Sequence, residues 1–244
     1  MVSSIHVWGD SIGKGVVFDE SRGRYAISGQ RWATQIEQQL GICVHNHARM
    51  GAVIRDGLKE LERSTDLTGA VAVIEFGGND CDLPWAAVAA EPEQEHPAKV
   101  PVEIFRQLLG QFIGQVRARG ARPLLVTPPP LDAPRYFAWV TRQLNAQAVA
   151  AYLGDIQHIY RWQERYAIAV RDVALQLNCE LFDLRDAFLA ERDVASYLCL
   201  DGIHPNERGQ SLIARAVLEQ DRRYFKAGLE PRLKTRPGIV WDQA

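Results

Sequence analysis

Five short apolar runs, at residues 5–8, 43–47, 71–76, 124–127 and 180–183, alternate with longer stretches that carry helical periodicity. No other feature of the chain narrows its folds so far. Trp32, Ile36 and Leu40 share one face of a predicted helix over 31–40, with Gly41 at the stop position. Ile54, Leu58 and Leu61 form the apolar stripe of the next, over 52–63. Pro101 opens a third helix that Gly120 closes, and further helices are predicted over 136–152, 156–177 and 207–224. The run at 71–76 is almost continuously apolar, as a strand covered on both faces must be. Strand and helix in strict alternation give an α/β class, a parallel sheet with helices on both faces. No composition break or repeat divides the 244 residues, so one domain is predicted over 1–225, with a polar tail at 226–244. A Pro-, Glu- and Ala-rich excursion is predicted at 82–100.

Charge and cysteine usage exclude several classes. Lys plus Arg number 28 against 30 Asp plus Glu, a net charge of −2 that offers nucleic acid or an anionic membrane no electrostatic footprint. No apolar run approaches the roughly 18 residues of a spanning helix. Residues 1–8 read as a first strand rather than a leader, so a cytoplasmic protein without membrane insertion is expected. Cys43, Cys81, Cys179 and Cys199 are scattered without a C-x-x-C pair and are expected to be reduced, buried thiols. A homo-oligomer is compatible with the sequence.

In an open parallel sheet the chemistry belongs at the carboxyl ends of the strands. There the chain places Gly9-Asp10-Ser11, Arg49-Met50-Gly51 and Gly77-Gly78-Asn79-Asp80, and Asp201-Gly-Ile-His204-Pro205 precedes the last helix. Ser11 is the candidate nucleophile and His204 the base, because a neutral imidazole accepts a hydroxyl proton and later returns it. Asp201, three residues before His204, is placed to hold Nδ1 and so fix the tautomer. The backbone N–H groups of Ser11 and Gly51 and the Asn79 amide are the candidate oxyanion donors. Asp10 reads as a support for the Ser11 loop. Glu75, inside an apolar strand, needs a partner, with Arg49 and Arg55 the candidates. His45 and His47 share a strand face, but two imidazoles do not make a metal site, so no metal and no cofactor are expected. Gly13-Lys14-Gly15 lacks the spacing of a phosphate loop. Tyr136, Phe137 and Trp139, with Tyr160, Trp162 and Tyr166, are expected to pack in the core and in part to wall a substrate pocket.

These segments resemble the four blocks of the SGNH/GDSL hydrolase family. Gly9-Asp10-Ser11-Ile12 is similar to the first, with Ile where the family name has Leu; Asn46 to Gly51 is similar to the second. Phe76-Gly-Gly-Asn79-Asp80 is similar to the third and Asp201-Gly-Ile-His204-Pro-Asn206 to the last, in the right order over positions 9–206. The resemblance implies a flavodoxin-like three-layer α/β/α sandwich with about five parallel strands, the SGNH hydrolase fold. It implies a metal-independent hydrolase with Ser11, Asp201 and His204 as triad, and Ser11, Gly51 and Asn79 as oxyanion hole. The expected activity is hydrolysis of short-chain acyl esters, acetyl foremost and acetylated carbohydrates among them. The expected partner is thus a small-molecule acyl ester. The alternatives are a lysophospholipase, thioesterase or acyltransferase using the same triad and, further off, a non-catalytic binding module. The stretches 82–100 and 131–177 are expected to overhang the site.

Overall fold

The computed structural model describes residues 2–224, with side chains to residue 220, so the tail at 226–244 lies outside the described residues. Along the chain, β1 (Ile5–Gly9) and the single-turn α1 (Ser11–Lys14) lead into a hairpin of β2 (Val16–Asp19) and β3 (Arg24–Ile27). After these come α2 (Trp32–Leu40), β4 (Val44–Asn46), α3 (Ile54–Leu61) and β5 (Val71–Glu75). The short α4 (Trp85–Ala90) precedes α5 (Val102–Ala118) and β6 (Arg122–Val126). Three helices follow, α6 (Ala133–Thr141), α7 (Ala146–Leu153) and α8 (His158–Gln176). Then β7 (Glu180–Phe182), α9 (Leu184–Leu189), a 3-10 turn at Val194–Tyr197 and α10 (Glu207–Tyr224) complete the fold.

The main sheet runs β4-β1-β5-β6-β7 and every pairing in it is parallel. Because side chains alternate along a strand, each central strand feeds two cores. Trp8, Ala72, Ile74 and Leu125 join Phe76, Phe105, Phe112, Tyr166 and Val170 under α3, α5 and α8. Val7, Val71, Val73 and Val126 join Trp32, Ile36, Phe188 and Ile213 under α2, α9 and α10. Each fully buried aliphatic or aromatic side chain of this kind stabilises the fold by about 1.5–3 kcal/mol. This is the three-layer α/β/α arrangement that the sequence predicts. The chain leaves β1 in one direction to β4 and in the other to β5, so the carboxyl end of β1 is the switch point of the sheet.

A third, smaller apolar cluster joins Leu83 and Val88 to Leu131, Val149, Leu153 and Ile159. It binds the excursion at 82–100 to α6 and α7. A polar clasp reinforces it: Asp82 accepts hydrogen bonds from Trp85 Nε1 (2.8 Å), Tyr136 Oη (2.7 Å) and Lys99 Nζ (2.8 Å).

The differences from the sequence reading have local causes. The helix predicted over 136–152 is two helices: the first ends at Thr141, and Asn145 caps the second by accepting from Ala148 N at 3.2 Å. The hairpin lies between α1 and α2, where no strand is predicted: its two short apolar runs, at 16–18 and 25–27, flank a polar turn. Cys43 is exposed and Cys179 half-buried, while Cys81 and Cys199 are buried; all four are free thiols. Cys43 is exposed because β4 is the sheet's edge strand and is not covered as β1 is. Among the described residues no helix is long and apolar enough to cross a membrane.

Candidate functional site

Gly9 ends β1, and Asp10 caps α1 by accepting Ile12 N–H on Oδ1 at 2.8 Å. This turn lifts Ser11 out at the switch point. Asn46, at the end of β4, holds the turn from below by donating Nδ2 to Gly13 O at 2.8 Å. From the other end of the chain, the segment before α10 folds back over Ser11. Cys199 N–H bonds His204 O at 2.7 Å and Leu198 bridges Pro205. Gly202 makes the bend with φ +76°, and a Cβ there would lie 2.7 Å from Asp132 O, so no other residue fits.

The result is a buried relay. Ser11 Oγ lies 2.8 Å from His204 Nε2, and His204 Nδ1 lies 2.5 Å from Asp201 Oδ2. Asp201 Oδ1 accepts the N–H groups of Ile203 (3.0 Å) and His204 (3.1 Å), and Tyr25 Oη donates to Oδ2 at 2.9 Å. Burial works against the Asp201 charge, yet the His204 contact and these donors together hold its carboxyl below the usual carboxylate range. A charged Asp201 only accepts, so the imidazole proton sits on Nδ1 and Nε2 is free to accept from Ser11 Oγ–H. Tyr25 is pushed above its ordinary range, by burial first and then by Asp201, and stays a donor.

The loop after β5 is built on carboxyls of another kind. Asp80, fully buried, accepts Ile54 N–H (2.9 Å) and Gly77 N–H (3.0 Å), and burial pushes its pKa up to about 7. Asn79 donates Nδ2 to Asp10 Oδ2 at 3.2 Å, and lines the same cavity as Ser11. Glu75 is buried and meets neither Arg49 nor Arg55; Arg49 pairs with Asp56 at 3.8 Å instead. Its partners are Gly13 N–H, donated to Oε2 at 3.2 Å, and the carboxyl of Asp10. Burial pushes Glu75 far up and Asp10 up as well. As a carboxylate Glu75 would leave Oε1 without a partner, whereas a proton on it supplies a donor for Asp10.

Ser11, Gly51, Asn79 and His204 line one cavity of about 150 Å³. Gly51, at φ +74°, has no heavy atom within 4 Å of where a Cβ would stand, so its backbone faces open space. The stretches 82–100 and 131–177 supply much of its lining, mostly apolar, with Leu83, Trp85, Leu131, Tyr136, Leu153 and Trp162 beside the polar Asp82, His158 and Gln163. Of the aromatic set, Tyr136 and Trp162 reach the cavity. Trp139 does not, and packs on the hairpin against Phe18 at 4.8 Å.

His47 does not stand free beside His45: its Nε2 bonds His6 Nδ1 at 3.0 Å, and its ring stacks on Trp8 at 4.7 Å. Among the described residues no three His, Cys, Asp or Glu side chains are grouped to hold a metal ion. Sequence reasoning missed Tyr25. Only its hairpin carried a signal: two short apolar runs, at 16–18 and 25–27, on either side of a polar, glycine-containing turn.

The sequence profile of the GDSL-like lipase/acylhydrolase family matches residues 7–212. No curated protein matches the chain by sequence. Among solved structures, the chain is similar to a lipase/acylhydrolase from Enterococcus faecalis, with 20% identity, a TM-score of 0.61, and 90% of this chain and 96% of that one covered. It is also similar to phospholipase A1 from Streptomyces albidoflavus, with 18% identity and a TM-score of 0.60 over 90% of this chain and 99% of that one. A catalytic mutant of an acetylxylan esterase from Geobacillus stearothermophilus aligns at 18% identity and a TM-score of 0.59, over 89% and 93%. At these identities the likeness speaks for the fold.

Proposed function

The chain belongs to the GDSL-like lipase/acylhydrolase family, a family of ester-bond hydrolases, and from that premise we propose that Ser11, His204 and Asp201 hydrolyse carboxylic esters of short-chain acids through an acyl-enzyme. The observation that carries this reading is the 2.8 Å contact between Ser11 Oγ and His204 Nε2, backed by a buried, charged Asp201. Ser11 Oγ attacks the ester carbonyl while Nε2 takes its proton. Asp201 stabilises the imidazolium that forms. The oxyanion is met by the N–H groups of Ser11 and Gly51 and by the Asn79 amide, each donor worth roughly 3–4 kcal/mol to the transition state. His204 then protonates the leaving alcohol, and water, activated by the same nitrogen, releases the acid.

The cavity supports a limit on the acyl group. An apolar space of about 150 Å³ is the size that holds a benzene-sized molecule. Acetyl esters, those of carbohydrates included, are the smallest members of this substrate class, and the apolar wall favours acyl groups of about four to six carbons. Long-chain lysophospholipids and thioesters exceed the space.

The test is intact mass after incubation with a fluorophosphonate, alongside Ser11→Ala, followed by peptide mapping. One adduct on Ser11, absent from the variant, is expected; unlabelled folded protein would refute the triad. A p-nitrophenyl ester series from acetate to decanoate then locates the chain-length optimum. An optimum at decanoate would overturn the short-chain assignment.

A further inference from the structure

We propose that Tyr25, on the hairpin between α1 and α2, is a positioning residue that sets the basicity of the Asp201–His204 pair. The inference rests on the triad reading above. Its geometry is specific. Asp201 has one oxygen committed to two backbone N–H groups, and the other is shared by His204 Nδ1 at 2.5 Å and Tyr25 Oη at 2.9 Å. The two donors therefore compete for the same carboxylate oxygen.

The hairpin that carries Tyr25 is built to hold it there. Phe18 N–H donates to Cys199 Sγ at 3.3 Å, and Ser28 Oγ donates to Glu207 Oε2 at 2.7 Å. Both ties reach the segment that carries Asp201 and His204. The Tyr25 ring packs on Phe18 at 5.3 Å, on Trp139 at 6.3 Å and on His204 itself at 4.9 Å. Arg142 covers the far side of Trp139, Asp10 faces His204 from the Ser11 loop, and Cys199 lies beside Asp201 with Glu20 and Glu207 behind it. None of these groups donates a hydrogen bond to the contested oxygen.

A phenol that draws on Oδ2 withdraws part of its charge from His204. Removing the hydroxyl leaves a more localised carboxylate facing the imidazole, which favours the protonated, catalytically idle form of the base. The apparent pKa of the acid limb of kcat/KM should therefore rise.

Tyr25→Phe keeps the ring and its packing and deletes only the hydroxyl. We expect the acid limb of kcat/KM for a p-nitrophenyl ester to move up by about 0.5–1 pH unit. The rate of fluorophosphonate labelling at Ser11 should follow the same shift. A hydroxyl with a purely structural role would lower activity at all pH values alike and leave the limb in place. Labelling of both proteins at Ser11 with superimposable pH profiles overturns the role of Tyr25 and leaves the triad standing. Failure of the wild-type protein to label overturns the triad and the role of Tyr25 with it. A second readout does not need turnover: the downfield proton resonance of His204 Nδ1–H, assigned by its loss in His204→Ala, should change position and titrate at higher pH in Tyr25→Phe. An unchanged resonance and titration would refute the proposal.

Discussion

Two sets of buried carboxyls stand at the same end of the sheet, and they are kept in opposite states. Asp201 is fully buried and held below its ordinary range, while Glu75, also buried, is pushed far above it. Depth does not separate them; donors do. Asp201 receives four hydrogen bonds and faces an imidazole, whereas Glu75 has only the backbone N–H groups of Gly13 and Asp10 and faces another carboxyl. A buried carboxyl is ionised only where the fold supplies enough donors to replace water. The fold supplies them on the hairpin side of Ser11 and withholds them on the β5 side. It thereby holds a charge on Asp201, against His204, and a proton on Glu75, against Asp10.

The sharpest way to break this comparison is to make the same change on both sides. Asp201→Asn puts an amide against His204 Nδ1, favours the wrong tautomer and should lower kcat by roughly 10³–10⁴-fold. Glu75→Gln keeps a donor for Asp10 and an acceptor for Gly13, so kcat at pH 7 should change by less than about threefold. Equal losses in steady-state kinetics would mean that Glu75 is ionised and the contrast is wrong.

A smaller effect concerns stability. A carboxyl whose folded pKa is raised contributes stability that is fully present below its unfolded value and lost as pH rises through the folded value. Glu75 is such a group, so the wild-type Tm should fall from pH 6 toward pH 9 more steeply than that of Glu75→Gln. Thermal melts at the two pH values check this, and parallel curves would count against a protonated Glu75.

The smallest effect extends the rule to a base. Burial, and then His45 and His47, lower the pKa of His6 to about 4. Its unfolded form gains a proton near pH 6.5 and its folded form resists until about 4, so stability is present above 6.5 and lost as pH falls between the two. His6 is partly solvated, so the contribution is about 1 kcal/mol after screening. His6→Asn should flatten that part of the Tm profile, and an unaltered slope would place the acid sensitivity elsewhere.

Most of this architecture was legible in the sequence because parallel strands buried on both faces leave continuous apolar runs such as residues 71–74 of β5. The nearness of Ser11 and Asn79 was legible because strand ends in such a sheet converge, and both follow neighbouring strands; His204 follows no strand and joins them through the segment before α10. What could not be read was choice among partners. Glu75 had two arginines within a plausible distance along the chain, but whether either reaches it depends on which way the loop after β4 turns. In the fold that loop turns Arg49 to Asp56. Tyr25 escaped because its hairpin pairs only with itself and reaches Asp201 across 176 positions. Neither periodicity nor local spacing encodes a contact of that kind.

Ser11 and His204 are 193 positions apart, and their contact has a temporal meaning. At synthesis rates of about 5–20 residues per second, the serine emerges roughly 10–40 s before the histidine that the proposed mechanism makes its base. Throughout that interval the nascent chain carries an ordinary alcohol and has no acyl-transfer chemistry to misdirect at its neighbours. On the proposed mechanism, a ribosomal product cut short before His204 would form no acyl-enzyme, and that chemistry would report that translation has passed the final strand.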